Sequence, residues 1–360
     1  MGALFGGARK SVGMQFKQEV SARNLQSALS ECLASTLPDA FTVELSVFGV
    51  HCHCDARSGS RRCVVHCFED EYYIELGVGT TAHNEARAVP ESQFDITATG
   101  RTALDREVVD AVRAWLAGAA VPDVYVAFAF VDRKRRALEQ LEALVLESRP
   151  GLDGVAHQLQ HDLADIYYLW FRSPERSCRV AFYGKSEHPS AMFHWDDCKL
   201  FAFPVNEPDQ LAAVLDRWLI GGASPSSLRR EFPWLEIGKL ADFYEAGKPI
   251  EGEFLQSWDQ LEDFYSRHPN RDSVLQFIAS LRAAGYDRKL RAGQSLWSCI
   301  LSRSRRHGLR GGQARIVFDF SGEELLMDQG EEETQARLPR AELTPEVDAA
   351  LQRLAAEPID

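Results

Sequence analysis

The residues best suited to chemistry are four cysteines, in His51-Cys52-His53-Cys54 and in Cys63-Val64-Val65-His66-Cys67. Thiols at that density, with imidazoles between them, are the ligands of a zinc ion or the halves of a disulfide. If Ser58-Gly59 makes a two-residue hairpin turn, Cys54 lies opposite Cys63 and Cys52 opposite Val65. All four thiols then share one face of a sheet. Two features oppose zinc. Cysteines two apart on one strand hold their side chains parallel, which suits one tetrahedral ion poorly. The corresponding positions elsewhere in the chain are Arg179 or Arg315, and Tyr183 or Asp319. The leading expectation is small sheet residues, with a zinc site at Cys52, Cys54, Cys63 and Cys67 or a redox pair as alternatives.

Arginines gather at three turns: Arg57, Arg61 and Arg62; Arg172, Arg176 and Arg179; Arg303, Arg305, Arg306, Arg310 and Arg315. Three basic turns on an acidic chain would track a phosphate backbone, with Tyr168, Trp170 and Trp297 stacking bases. Solvated tips that discourage edge-to-edge association are the plainer reading. A third group, Phe232, Trp234, Phe243, Tyr244 and Trp258, is aromatic enough for a protein interface; packing on a neighbouring core is the alternative.

Catalytic patterns are sparse. The chain has no Walker loop, no GxSxG and no HExxH. The glycine-rich stretch 308–315 leads into a strand, which is the wrong context for a phosphate loop. His194-Trp195-Asp196-Asp197 reads as a surface turn, and His161 with Asp162 and Asp165 as a solvated helix face.

These groups hang on a repeating frame. Arg315 to Phe320 alternates as a strand, and a shift of 136 positions lays it on Arg179 to Tyr183. The same shift carries Leu138, Leu141, Val145, Val180, Phe182, Leu211, Leu215 and Trp218 onto Val274, Phe277, Leu281, Ile316, Phe318, Val347, Leu351 and Leu354. Cys63 to Phe68 is a third, looser copy. The fold class expected is α+β: three divergent repeats of helix, four antiparallel strands and helix, with a helical connector before the third. The boundaries expected are 1–131 for the first repeat with an extra strand (from Val121, apolar over Val124 to Val131), 132–220 for the second, 221–270 for the connector and 271–360 for the third. This order is similar to that of the α+β units of secretion-chaperone-like proteins, a likeness of element order that carries no function.

The 360 residues are 45% hydrophobic and 26% charged, as in ordinary globular proteins, with a net charge of −13. That balance argues against a nucleic-acid or membrane coat. The amino-terminal residues lack a signal-peptide pattern, and no apolar run approaches the ~20 residues of a membrane helix. Eight cysteines without a small-scaffold spacing fit reduced thiols in a cytoplasmic protein. Together these point to a bacterial, cytoplasmic, non-enzymatic binding protein with a protein partner. It would be an adaptor or accessory subunit, a defence or toxin-neutralising setting being one such context. Nucleic-acid binding through the arginine turns, and a metal- or redox-responsive first repeat, are the competing readings.

Overall fold

The computed structural model describes residues 4–37, 41–48, 51–79, 94–161, 166–183, 186–267, 271–296, 298–306, 313–320, 325–328, 335–338 and 341–359. The elements in order begin with α1 (Leu4–Thr36), β1 (Phe41–Phe48), β2 (His51–Ser58), β3 (Arg61–Cys67), β4 (Tyr72–Gly79), β5 (Phe94–Thr102), α2 (Asp105–Leu116), α3 (Val121–Ala127) and α4 (Arg133–Ser148). Next come β6 (Ala156–His161), β7 (Tyr167–Arg172), β8 (Arg176–Ala181), β9 (Ser190–Trp195), β10 (Cys198–Pro204) and α5 (Pro208–Leu215), which runs into a π turn at 216–220. The rest is α6 (Pro225–Glu231), α7 (Leu240–Glu245), α8 (Pro249–Tyr265), α9 (Arg271–Ala283), β11 (Arg291–Ser295), β12 (Ser298–Ser302), β13 (Arg315–Asp319), β14 (Leu325–Asp328), β15 (Gln335–Leu338) and α10 (Pro345–Ala356).

The fold is mixed α and β, with three antiparallel sheets in which consecutive strands are neighbours. Each sheet has five strands, not the expected four, and the extra strand is the first in every case. Phe41 to Cys54 reads as one alternating run, yet Phe48 pairs with His51, so the run folds back on itself. The other two, Ala-His-Gln-Leu-Gln-His in β6 and Arg-Ala-Gly-Gln-Ser in β11, carry too few apolar residues to signal a strand. His161 therefore ends a strand, stacking on Tyr167 at 4.6 Å, rather than lying on a helix. Asp162 and Asp165 lie outside the described residues, as do Trp297 and Arg310.

The chain divides into two compact units. The first comprises Met1–Phe171, Arg179–Ser190 and Val205–Ala212; the second comprises Arg172–Cys178, Ala191–Pro204 and Ala213–Asp360. In the first, α1 turns Ala22, Leu25, Leu29 and Leu33 onto the sheet, and α2 adds Val108, Ala111, Val112 and Trp115. The facing strands bury Cys52, Cys54, Ala56, Cys63, Val65, Ile74 and Leu76. Of that expected strand, Val121–Ala127 is the helix α3. Pro122 lacks the amide a strand needs and fits a first helical turn. Val124 is buried while Val126 is 90% exposed, so alternate residues do not share a buried face. Val131 meets the backbone of the sheet as an isolated bridge to Gly100. Gly100 is required there, since a Cβ would sit 2.9 Å from the Phe130 ring.

In the second unit α8 packs Trp258, Leu261 and Tyr265 into one core with Val274, Phe277, Ile278 and Leu281 of α9, the inner residues of β12 to β14, and Val347, Leu351 and Leu354 of α10. The Trp258 indole donates to the Leu290 carbonyl at 2.8 Å. Helix α7 presses against α8 so closely that a Cβ on Gly252 would sit 2.5 Å from that of Phe243. A second aromatic cluster stacks Phe193 on Phe201 at 4.6 Å, with Trp218 edge-on to both.

Candidate ligand cleft of the second unit

The cysteines sit inside, not at a surface. The β2–β3 turn is Gly59-Ser60, one residue later than expected, with Gly59 at φ +57°. Cys52 consequently faces Cys67, Cys54 faces Val65 and Cys63 faces Ala56. All four thiols still share one face, and that face is the core under α1 and α2. The Cys54 thiol donates to the Ala22 carbonyl at 3.4 Å. Burial pushes the Cys63 thiol well up, and a hydrogen bond with Cys54, together with burial, does the same to Cys67. Zinc ligation and disulfide exchange both need thiolates, which this environment disfavours. Among the described residues no group of three or more His, Cys, Asp or Glu side chains is placed to hold a metal ion.

The arginine turns are engaged within the protein. The Arg61 guanidinium stacks 4.3 Å over Trp115 and donates to the Trp115 and Ala119 carbonyls at 2.7 and 2.6 Å. Arg176 lies 4.2 Å over Trp218 and donates to the Trp218 and Ala223 carbonyls at 3.2 and 2.7 Å. Arg303 donates to the carbonyls of Glu357 and Lys289 at 2.7 and 2.6 Å. Each of the three therefore reaches the carboxyl end of a closing helix: α2, α5 with its π turn, or α10. Carbonyls there lack partners and the helix dipole is negative, so a cation is favoured. Arg57 and Arg62 both bind the buried carboxylate of Asp55, at 2.7 and 2.6 Å. Arg179 covers Tyr168 and Trp170, and Arg172 is exposed.

Arg305 and Arg306 belong to a different arrangement. Strands β9 and β10 are joined by Asp196-Asp197, both at positive φ, the two-residue turn that aspartate tolerates better than most residues. The turn presents Asp196 to Arg305 at 2.7 Å and to Arg306 at 3.0 Å, and Asp197 to Arg306 at 3.5 Å. Arg305 also holds Glu253 of α8 at 2.9 Å, and the Tyr244 hydroxyl donates to the same carboxylate. Glu253 is buried, so its charge needs that company. Behind them Arg291 donates to the Arg305 carbonyl at 2.6 Å.

This network forms the wall of a cleft. One hollow of about 370 Å³ is lined by Lys199, Glu253, Gln256, Arg291 and Arg306, and Cys198 opens onto it. A neighbouring hollow of about 470 Å³ shares Ser257, Gln260, Arg291 and Arg306 and adds Leu261, Phe264, Gly293 and Ile300. Four cations (Lys199, Arg291, Arg305, Arg306) stand against three carboxylates (Asp196, Asp197, Glu253), an excess of one positive charge on an acidic protein. Burial raises the Cys198 thiol, and burial with the Glu253 hydrogen bond raises the Tyr244 hydroxyl. Burial tends to raise the Asp196 carboxyl, but hydrogen bonds and charge from Arg306 and Arg305 outweigh it and hold it low. These shifts favour the protonated thiol and phenol and the ionised carboxylate.

Of the aromatic residues expected to meet a partner, Trp258 and Tyr244 are buried, and Phe232 and Phe243 are half-buried. Trp234 is 44% exposed and sits edge-on to Phe203. Sequence reasoning found Tyr244, Arg305 and Arg306 but missed Glu253, Arg291, Lys199 and Cys198. The available signal was Glu253 itself, one turn before Ser257 and next to Phe254 in the buried part of α8. Comparison with family models, curated proteins and solved structures finds no match for the chain.

Proposed function

We propose that the protein is a non-catalytic binding protein, an adaptor or accessory subunit that receives an anionic group of its protein partner in the Lys199–Arg291–Arg306 cleft. What carries this reading is the bracing of the cleft: Arg305 ties Glu253 to Asp196, so that the cations beside it are fixed before any ligand arrives. Preorganised charge of this kind favours recognition, because the ordering cost is met during folding. Nucleic-acid binding through the arginine turns ranks lower, since Arg61, Arg176 and Arg303 would have to leave helix carbonyls to reach a phosphate. Among the described residues no helix is long and apolar enough to cross a membrane.

The three-repeat architecture belongs to the same proposal. Of the sixteen side chains related by the shift of 136, all but Phe182 are buried. The arginine clamp, placed between the second and third strand of every sheet, is support that does not depend on apolar spacing. The repeats would span 1–131, 132–220 and 271–360, with 221–270 as the connector that supplies α8 to the cleft.

The test is affinity capture from the native cytosol under nuclease treatment, using wild type and a Lys199→Glu/Arg306→Glu variant. A stoichiometric protein held by wild type and lost by the variant is the expected result. A partner captured equally by both, or by neither, would remove the cleft from the function.

A further inference from the structure

Strand β7 has two faces of different character. Leu169 and Phe171 are fully covered, and by alternation Tyr168 and Trp170 point the other way, each half-buried. On β8 Val180 is fully covered and Arg179 faces the other way. The geometry agrees: the Arg179 guanidinium lies 4.9 Å over the Tyr168 ring and 5.5 Å over that of Trp170. On the edge strand β6, His157 meets Phe171 and His161 meets Tyr167 on the covered side. Gln158 and Gln160 therefore share the face of Tyr168 and Trp170. Gln158 is exposed, and the Gln160 amide donates to its side-chain oxygen at 3.1 Å. What sets this face apart is the state of its cation. Arg61, Arg176 and Arg303 hold helix carbonyls, and Arg57 and Arg62 hold Asp55. The Arg179 guanidinium is held by the two rings alone: among the described residues it makes no hydrogen bond or ion pair, and its Nε is buried without a partner. None of the five side chains on this face is acidic.

We infer that this face of β6 to β8 takes a short segment of single-stranded nucleic acid, with bases stacked on Tyr168 and Trp170, a phosphate at Arg179 and base edges at Gln158 and Gln160. The inference is independent of the cleft and of the arginine turns. Charge selects an anion, because the cation has no carboxylate to neutralise it. A guanidinium fixed by stacking keeps its N–H groups in its own plane, where a phosphate can meet them without displacing a protein partner. The rings select a base. Side chains two apart on a strand stand about 6.6 Å apart, twice the ~3.4 Å step between successive bases, so both can be met by one strand. The amides supply both donors and acceptors, which suits base edges of either pattern. A duplex hides its base faces in the stack, whereas a single strand offers them. The overall charge of −13 opposes polyanions at a distance, and screening over about 8 Å at physiological salt confines the contact to the few nucleotides on this face.

The probe is fluorescein-labelled deca-uridylate, with deca-thymidylate, a labelled duplex of similar length and uridine monophosphate as comparisons, followed by fluorescence anisotropy across a salt series. Both single strands are expected to bind, and the duplex at least tenfold more weakly. The logarithm of affinity should fall with the logarithm of salt at a slope of about −0.7, the value for one phosphate contact on a single strand, and Arg179→Gln should flatten it. Binding is expected to quench part of the tryptophan emission, a part that Trp170→Leu loses. Tyr168→Leu and Trp170→Leu should each weaken binding at least tenfold, while Tyr168→Phe, which keeps the ring, binds as wild type. Gln158→Glu changes an exposed residue, so it is expected to keep the unfolding temperature, and its added charge should weaken binding at least threefold. Failure of both single strands to bind overturns the inference, as does equal binding by Gln158→Glu and Tyr168→Leu. A slope several times steeper that Arg179→Gln leaves unchanged places the attraction elsewhere and overturns it too. Uridine monophosphate that displaces the strand at equal nucleotide concentration replaces the strand with a free nucleotide. A protein captured under nuclease treatment and lost with Trp170→Leu makes this face a protein contact and removes nucleic acid from it.

Discussion

Each unit buries a carboxylate at the junction of a helix and a sheet, and the two solve the same problem differently. In the first unit Asp132 precedes α4 at φ +47°, with its side chain fully covered. Its Oδ1 accepts from the Thr99 amide at 2.7 Å and from the hydroxyls of Thr99 and Tyr167, and its Oδ2 accepts from Tyr125 at 2.5 Å. Arg135 approaches only to 3.7 Å. In the second unit Glu253 is covered almost as well, but its main partner is the Arg305 guanidinium, which also reaches Asp196. Neutral donors seal Asp132 inside; a shared cation connects Glu253 to an open cleft. A buried charge satisfied by hydroxyls is a structural rivet. The same charge satisfied by an arginine at a surface can orient groups for a ligand.

The largest effect expected is from Asp132→Ala. It leaves one amide and three hydroxyls without their acceptor, and at 1–3 kcal/mol for each buried donor left unmade, partly relieved by relaxation, the loss is about 4 kcal/mol. Urea unfolding measures it. Tyr125 and Tyr167 supply a second signature: burial raises both phenols, Tyr167 up to about 12, with the Asp132 hydrogen bond adding to the rise. Ultraviolet titration of the variant is expected to bring part of the tyrosine titration down towards its ordinary range.

Glu253→Ala comes next, at about 2 kcal/mol, because Arg305 keeps Asp196 and is not stranded in a closed interior. The two substitutions should separate in function: Glu253→Ala weakens capture of the partner and Asp132→Ala does not. If Glu253→Ala costs as much stability as Asp132→Ala and leaves partner capture alone, both carboxylates are rivets and the contrast disappears.

A smaller effect, about 1–2 kcal/mol each, is expected for Arg61→Lys, Arg176→Lys and Arg303→Lys. Lysine keeps the charge near the helix end but loses the planar fork, and at Arg61 and Arg176 the stack on tryptophan. Similar losses at the three sites in thermal unfolding would sharpen the case for one clamp used three times. A negligible loss at Arg303, beneath which no tryptophan lies among the described residues, would show that stacking rather than helix capping sets the strength of the clamp.

These arginines also show where a sequence is legible. The helices with apolar stripes were readable, as were the strands that alternate, because spacing alone determines which face is buried. Strands β6 and β11 were not, because they lie at sheet ends and carry polar residues whose strand conformation is set by pairing. Residues 121–127 misled for the opposite reason: apolar content suggested a strand while Pro122 placed a helix start. The basic turns stood out in the sequence, but the carbonyls that Arg61, Arg176 and Arg303 reach at the ends of α2, of α5 with its π turn and of α10 lie 42 to 58 residues away, and a carbonyl leaves no mark in a sequence. The cleft was legible only in part for a related cause. Arg305 and Arg306 stand out in a basic run, whereas Glu253 gains its meaning from Tyr244 and from an arginine 52 residues later.

The smallest effect separates the units by pH. Burial on its own would raise the Asp55 carboxyl of the first unit, but the hydrogen bonds from Arg57 and Arg62 outweigh it and hold the group below its ordinary value. Asp196 of the second unit is lowered through Arg306 and Arg305 in the same way, but it is about half exposed. A carboxyl lowered by folding contributes stability that is fully present above its unfolded value near 4 and is lost as pH falls through the folded value. Acid unfolding below about pH 4 is therefore expected to weaken with Asp55→Asn as the reference: that variant is less stable than wild type at neutral pH and converges with it in acid. Asp196→Asn should change the acid limb much less, because solvent screens an exposed pair. Its effect should appear instead in partner capture, since loosening Arg305 and Arg306 disorders the cations of the cleft. Acid-limb changes of equal size for the two variants would mean that the Asp196 pair stabilises the fold as Asp55 does, and that the cleft needs no such brace.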